Sequence, residues 1–211
     1  MPIEYAPTSW SPLTGCLHTL AQCPVVSQCW AKSMAKRFPK AAGGDFEPRF
    51  HPERLEEPYK WRKPRRVAVS FMGDLFGDWV GVSTIRSVLG VVEKCPKSQF
   101  LFLTKNGKRL AEFNPWPPNA WVGVSAWNGE SLAWALHQLK AVQGGHTWLS
   151  IEPLLGPANV LWELSPFRPE WVVIGGLAKG KQDPRLMSWV SRLKWRCLAD
   201  GVPYWLKNNL A

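Results

Sequence analysis

The sequence predicts an α/β fold in which parallel strands form a partial barrel of the (β/α)6 type. From residue 66 onward, short apolar runs alternate with amphipathic stretches of helical periodicity. The apolar runs are continuous, which is typical of parallel strands covered on both faces. A complete eight-fold barrel takes about 250 residues, so a chain of 211 residues has room for roughly six strand–helix units. An open, doubly wound sheet is the alternative architecture.

Each of the apolar runs is predicted to be a strand, and each ends in polar or glycine residues. A further short strand is predicted earlier in the chain, in SWSPLTGC at residues 9–16. Strand–helix–strand order requires right-handed crossovers, which make consecutive strands parallel. The later runs are RVAVSFMGD (66–74), QFLFLTK (99–105), AWVGVSA (120–126), TWLSIEP (147–153), WVVIGG (171–176) and PYWLK (203–207).

Three amphipathic helices are predicted between these strands. The first is STIRSVLGVVEK, with Ser83 as its N-cap, and the second is ESLAWALHQLKAV. The third, DPRLMSWVSRLKWRCL, opens with Asp183 as its cap and Pro184 in its first turn. The chain has no linker, internal repeat or low-complexity tract, so residues 1–211 are predicted to form one domain.

In either architecture, the binding site lies beyond the carboxyl ends of the strands. Small and ionisable residues occupy all of these predicted ends, which favours one shared pocket. They are Ser70, Gly73, Asp74, Thr104, Lys105, Ser125, Asn128, Ser150, Glu152, Gly175, Gly176 and Lys207.

The charge of the chain favours a polyanionic partner. Lys and Arg number 26 against 16 Asp and Glu, giving a formal net charge of +10. The densest basic run, residues 60–66, is either a solvated loop or a patch that contacts phosphates. Trp30, Trp79, Trp116 and Trp127 lie near the predicted mouth, where they either stack on bases or pack in the core.

The chain is expected to be cytoplasmic. It has no apolar run of the roughly 18 residues needed to span a bilayer, and its first residues lack the pattern of a signal peptide. In a reducing compartment, clustered cysteines are more often metal-binding or catalytic than disulfide-bonded.

Three of the five cysteines lie in one loop, residues 14–30, at Cys16, Cys23 and Cys29. Two kinds of metal centre match three thiolates. A zinc ion takes them together with a histidine, of which His18 is the nearest. A [4Fe–4S] cluster held by three cysteines keeps one iron open for an outside ligand. A helix beginning near Gln28 is predicted to point its N-terminus toward this centre.

Eight segments together resemble a short, phage-associated branch of the radical SAM superfamily that is distantly similar to spore photoproduct lyase. They follow the family's order and cover nearly the whole chain. The segments are SWSPLTGC, CWAKSMAKRF, FMGDLF, FLTK, WVGVSAWN, LSIEPLLGP, WVVIGG and GVPYWLKN.

The resemblance implies a [4Fe–4S] cluster and S-adenosylmethionine (SAM) as cofactors, in a partial barrel of the radical SAM kind. It makes Cys16, Cys23 and Cys29 the cluster ligands and Asp74 the partner of the SAM amino group. It also places Lys105 and Glu152 among the catalytic residues. The other residues that it places around the cofactors are Trp30, Gly73, Thr104, Ser125, Asn128, Ile174, Gly175 and Gly176.

The sequence departs from the family's pattern in two places. Two residues usually separate the last two cysteines of the family, whereas five separate Cys23 from Cys29. The family's GGE reads GGL here, because Leu177 stands in place of the acid.

Taken together, these features predict a radical SAM enzyme of the isomerase, lyase or base-modifying type, supplied by an external electron donor. Its expected substrate is a nucleic acid or a modified nucleotide. One reaction that the resemblance allows is the rearrangement of an amino-acid group on a hypermodified thymine in phage DNA, in the host cytoplasm. The alternative is a zinc-stabilised, non-enzymatic protein that binds nucleic acid through the same cysteines and charge.

Overall fold

A computed structural model of the chain describes residues 3–39, 45–158, 162 and 165–210. Its main sheet has seven strands, and all six neighbouring pairs are parallel. The sheet order is β1 (Thr8–Trp10), β4 (Arg66–Val69), β5 (Gln99–Thr104), β6 (Trp116–Ala126), β7 (Gly144–Ile151), β8 (Trp171–Ile174) and β9 (Tyr204–Leu206).

The order of the strands in the sheet decides between the two predicted architectures. It follows chain order without reversal, whereas a doubly wound sheet reverses at a switch point. The sheet therefore curls into a half-barrel, which confirms a partial α/β barrel and rules against the doubly wound alternative. Seven strands are present where roughly six units were expected.

A small two-stranded ribbon stands beside the first strand of the sheet. The predicted first strand is split at Pro12 into β1 and β2 (Leu13–Thr14), and β2 pairs antiparallel with β3 (Arg49–Phe50). Thr14 Oγ1 and His51 Nε2 lie 2.9 Å apart and add a side-chain hydrogen bond to the ribbon. The ribbon directs the chain from β1 into the cysteine loop.

Four α-helices are described. They are α1 (Trp30–Arg37), α2 (Val82–Glu93), α3 (Gly129–Lys140) and α4 (Leu186–Ala199). Single 3-10 turns occupy Val26–Gln28, Pro52–Arg54, Pro58–Lys60 and Asn208–Leu210, and a longer 3-10 segment, Gly107–Phe113, connects β5 to β6.

Two predicted helix starts are wrong. The N-cap of α2 is Gly81 rather than Ser83, because Val82 already has helical geometry. The N-cap of α4 is Arg185, so this helix begins three residues after the predicted cap, Asp183. The Asp183 carboxylate instead accepts the backbone N–H of Arg185 at 2.8 Å, which closes a turn ahead of the helix.

The main core lies between the outer face of the sheet and the helices. Alternate strand residues such as Val67, Val122 and Leu149 pack there against Ile85 of α2 and Leu193 of α4. Burial of this continuous apolar layer is the dominant favourable contribution to folding.

A second, smaller core fills the inside of the half-barrel. Trp148 is fully buried there, and Gly123 makes room for it, because a Cβ at Gly123 would lie 2.3 Å from the Trp148 ring. Tyr5, from the segment before β1, meets Trp148 edge-on at 5.8 Å between ring centroids. The N-terminal segment therefore packs into the interior of the half-barrel.

Among the helices that the structure describes, none is long and apolar enough to cross a membrane.

Candidate functional site

The cysteine loop starts directly over the carboxyl end of β4. Gly15 forms a parallel bridge with Gly73, and its N–H donates to the carbonyl oxygen of Met72 at 3.0 Å. Gly15 has a φ of 85°, and a Cβ there would lie 2.1 Å from the carbonyl oxygen of Glu47. Only glycine suits this position. The close approach also explains Gly73, whose own Cβ would lie 2.4 Å from the Gly15 oxygen.

Asp74 lies immediately beyond this contact and is buried. Its Oδ1 accepts hydrogen bonds from Thr104 Oγ1 at 2.7 Å and from the Phe76 N–H at 3.0 Å. Its Oδ2 accepts the Lys105 N–H at 3.0 Å and lies 2.7 Å from His18 Nε2. Burial alone raises the pKa of Asp74. The hydrogen bond from His18 and the other donors together lower the pKa by more than burial raises it, so it lies below its ordinary value. The carboxylate is ionised and fully engaged within the protein.

His18 is buried beside Cys16 and is oriented by Asp74. An ionised carboxylate only accepts hydrogen bonds, so His18 Nε2–H is the donor and Asp74 Oδ2 the acceptor. His18 Nδ1 is buried and has no hydrogen-bond partner among the described residues. The ring of Trp79 meets the imidazole edge-on, with 5.0 Å between centroids.

The cysteines are brought to one end of the half-barrel but do not form a closed group. Cys16 and Cys29 are half-buried against the same small apolar cluster, which includes Ala31 of α1 and Met72. Cys23 is buried outside that cluster. Within the described ranges, no three His, Cys, Asp or Glu side chains are close enough together to hold a metal ion.

The chemistry of the donors nevertheless fits a metal centre. The three thiols are free, and the Nδ1 atom of His18, two residues after the first of them, is buried without a hydrogen-bond partner among the described residues. Thiolate and imidazole are the donors that zinc and iron–sulfur centres take. Burial raises the pKa of the Cys16 thiol to about 12, so the neutral thiol is favoured unless a cation stabilises the thiolate. Completing a three-sulfur set therefore requires the cysteine loop to rearrange.

On the opposite side of the mouth, Glu152 is paired with Lys207. Lys207 Nζ lies 2.5 Å from Glu152 Oε1, and Asn209 Nδ2 donates to the same oxygen at 3.3 Å. Asn209 also bonds both polar groups of Gly176, accepting its N–H at 3.1 Å and donating to its carbonyl at 2.8 Å. Gly176, the second glycine after β8, is therefore held by the C-terminal segment.

Other predicted site residues have structural partners. Asn128 caps α3, its Oδ1 accepting the Ser131 N–H at 2.9 Å, and Thr104 binds Asp74. Ser125 and Ile174 are buried, and the half-buried Lys105 contacts Asp74 through its backbone. Trp30 is exposed at the start of α1, on the cysteine side of the mouth.

One predicted mouth residue is corrected by the structure. Trp116 is buried in the main core, where its Nε1 donates to the Leu110 carbonyl at 3.1 Å, so it is no base-stacking platform. In the basic run, Arg65 lies over the Trp61 ring at 5.3 Å. The Trp61 ring stacks on the buried Phe100 at 6.1 Å between centroids, and this contact attaches the run to the body of the protein.

Sequence reasoning missed several residues that organise this site. Asn106 donates to the Phe76 carbonyl at 2.8 Å, and Gln182 accepts the Leu177 N–H at 3.0 Å. The pairing of His18 with Asp74 joins positions 56 residues apart. No local pattern indicates such contacts, because they arise only when strand ends and loops meet.

The model of one protein family matches nearly the whole chain. Residues 1–209 match the family described as "Protein of unknown function (DUF5131)". The chain belongs to that family. No curated protein and no solved structure gives a significant match. Membership of DUF5131 covers the half-barrel and the cysteine loop together, so both are parts of one family unit.

Proposed function

We propose that this DUF5131 protein is a radical SAM enzyme that acts on a nucleic acid or a modified nucleotide. The observation that carries the proposal is the Gly15–Gly73 bridge, which holds a three-cysteine loop over the mouth of a parallel half-barrel. Strand ends of such barrels are where cofactors and substrates bind.

In this proposal Cys16, Cys23 and Cys29 hold a [4Fe–4S] cluster. When bound, the cluster supplies one electron that cleaves the sulfonium of SAM and starts radical chemistry. Four groups of the protein hydrogen-bond to the Asp74 carboxylate, so Asp74 holds the segments around the site in place. The pair of Glu152 and Lys207 borders the substrate side of the mouth.

The proposed substrate class follows from charge. A net charge of +10 favours binding to phosphates, and a base has to leave the duplex before an enclosed site can act on it. Rearrangement of an amino-acid group on a hypermodified thymine in phage DNA is one reaction of this class. An external donor supplies the electron.

Anaerobic purification with iron, sulfide and zinc assays tests the proposal. We expect about four irons per chain, bleaching of the visible spectrum by dithionite, and 5′-deoxyadenosine after addition of SAM. Cys16→Ser is expected to lose the iron, whereas Cys95→Ser, outside the loop, retains it. Absence of iron from the wild-type protein contradicts the proposal.

The second candidate is a zinc-stabilised protein that binds nucleic acid without catalysis. The orphaned Nδ1 of His18 beside Cys16 favours it, because cysteine and histidine are the ligands of structural zinc. One zinc and no iron per chain, with salt-dependent binding to DNA, is the result that selects this candidate.

A further inference from the structure

A cavity of about 130 Å³ lies in the half-barrel at the end opposite to the cysteine loop. Arg66, Gln99 and Trp171 are the first residues of β4, β5 and β8, so the cavity is at the amino ends of these strands. The cysteine loop begins over the carboxyl end of β4. The cavity is therefore separate from the proposed metal centre and from the mouth. Its lining residues are Tyr5, Arg66, Gln99, Leu101, Trp121 and Trp171.

The walls of this cavity are aromatic and supported by further rings. Trp121 and Trp171 are half-buried, and their rings lie 6.2 Å apart between centroids with 88° between their planes. His146 stacks on Trp121 at 4.6 Å, and Trp148 stacks on Trp171 at 5.2 Å. Two perpendicular rings form a corner that suits a flat ligand, which stacks on one ring and meets the other edge-on.

The size and the rim of the cavity narrow the class of ligand. An apolar cavity of roughly 150 Å³ binds benzene, so the volume here matches a single flat ring. Arg66 and Gln99 are exposed and pair in register across β4 and β5, which places an amide beside a guanidinium at the rim. An amide both donates and accepts, as the edge of a nucleobase requires, and a guanidinium binds phosphate.

Positive charge leads along the chain to this rim. Arg66 is the last residue of the basic run, residues 60–66, which has five Lys and Arg and no acidic residue. All five side chains are exposed, and none has an acidic partner within the part of the chain that the structure describes. The Arg65 carbonyl accepts the Gln99 N–H at 2.8 Å, which fixes the run beside the cavity. Exposed cations next to aromatic rings are the combination that binds single-stranded nucleic acid.

We infer that the cavity binds one base of a single-stranded nucleic acid, with the neighbouring phosphates on Arg66 and the rest of the basic run. The base stacks against Trp121 and Trp171, and Gln99 hydrogen-bonds to its edge. A pyrimidine, which has one ring, fits the volume. The inference goes beyond the proposed function, because this contact needs neither a metal nor SAM and lies at the other end of the half-barrel from the proposed chemistry.

Binding of labelled strands to the wild-type full chain, measured by fluorescence anisotropy, tests the inference. The strands are an oligothymidylate of about ten nucleotides and an abasic strand of the same length, which has the same phosphates and no bases. We expect the oligothymidylate to bind at least about fivefold more tightly, since stacking acts on it alone. Equal affinities overturn the inference. Thymidine monophosphate should compete at least about tenfold less well than the strand, and equal competition would overturn the assignment to a strand.

Two pairs of variants locate the contact. Trp121→Leu is expected to weaken binding of oligothymidylate at least about fivefold and to remove the preference over the abasic strand. Trp195→Leu, at an exposed position of α4, is its control. Arg66→Gln is expected to weaken both strands and to lower the slope of log affinity against log salt by about one. Arg192→Gln removes the same charge from an exposed position of α4. Equal losses in a variant and its control overturn the inference.

A further measurement avoids dependence on folding of the variants. A strand that carries 5-bromouracil is irradiated on the wild-type protein, and the crosslinked peptides are identified by mass spectrometry. We expect crosslinks at Tyr5, Trp121 or Trp171. Crosslinks found only elsewhere, or none, overturn the inference.

Failure of this inference differs from failure of the proposed function. Iron content and 5′-deoxyadenosine report on the radical SAM proposal, whereas the strand comparisons report only on the cavity. A protein that holds four irons but binds both strands equally refutes the inference and keeps the function. A protein without iron that prefers the oligothymidylate and loses this preference in Trp121→Leu does the reverse.

Discussion

Gly15 and Gly73 touch through their backbones, and this contact sets where the cysteine loop begins. The bridge brings the chain to the end of β4, directly before Asp74. A side chain on either glycine would overlap the other segment or the Glu47 carbonyl. The position of the proposed metal centre therefore depends on two residues that have no side chain.

Gly15→Ala is predicted to destabilise the fold by more than about 2 kcal/mol, since it adds a steric clash to the cost of a left-handed conformation. Gly201→Ala is the control: Gly201 has a φ of 67° but no atom within 4 Å of its Cβ position, so only the conformational cost of about 1 kcal/mol applies. Urea unfolding measures both. Equal losses would contradict the proposed crowding at Gly15.

Thr104→Val is predicted to cost about 1–3 kcal/mol, because the substitution removes a buried donor to Asp74. It also leaves the Asn106 N–H without the acceptor that it reaches at 2.8 Å. Thr104→Ser keeps the hydroxyl and should lose much less. The free energies of unfolding of the two variants decide the matter, and a similar loss in both would count against the hydrogen bond.

Trp148→Phe is predicted to cost about 1–3 kcal/mol. The change leaves a gap beside Gly123 and removes the donor to the Phe102 carbonyl, at 3.0 Å. Trp205→Phe, at an exposed edge of the sheet, should change stability little. Thermal or urea unfolding distinguishes the two variants. A Trp148→Phe variant as stable as the wild type would show that the interior is not closely packed.

Stability is predicted to fall in acid partly through Asp200. Burial alone raises the pKa of Asp200. The hydrogen bond from Arg196 and the charge of Arg168 together lower the pKa by more than burial raises it, so it lies below its ordinary value. As the pH falls, the Asp200 carboxylate is therefore protonated at a higher pH in the unfolded chain than in the folded chain. This stabilisation is present above the ordinary aspartate pKa of about 3.9 and is lost as the pH falls through the lowered pKa.

Unfolding of the wild type and Asp200→Asn across this pH range measures the contribution. The variant is expected to be less stable at neutral pH by about 1–3 kcal/mol and to show a flatter dependence below pH ~4. Parallel curves for the two proteins would exclude Asp200 as a source of the acid sensitivity.

Periodicity predicted the local elements of this fold well. The apolar runs at β5 and β8 became buried parallel strands, and Leu132, Leu136 and Leu139 of α3 face the core as their spacing indicates. These features depend on residues near each other in the chain. The predicted start of α2 is two residues late: serine is a common cap, but Gly81 occupies the cap position without a side-chain hydrogen bond.

The sequence by itself determined the parallel α/β architecture and the presence of three cysteines in one loop, since hydrophobic patterning and residue identity are local properties. Only the tertiary structure decided that Asp74 turns inward to His18, that Trp116 is buried and that Glu152 pairs with Lys207. Such pairings join distant segments, and their energies exist only after the strand ends have been brought together by the sheet.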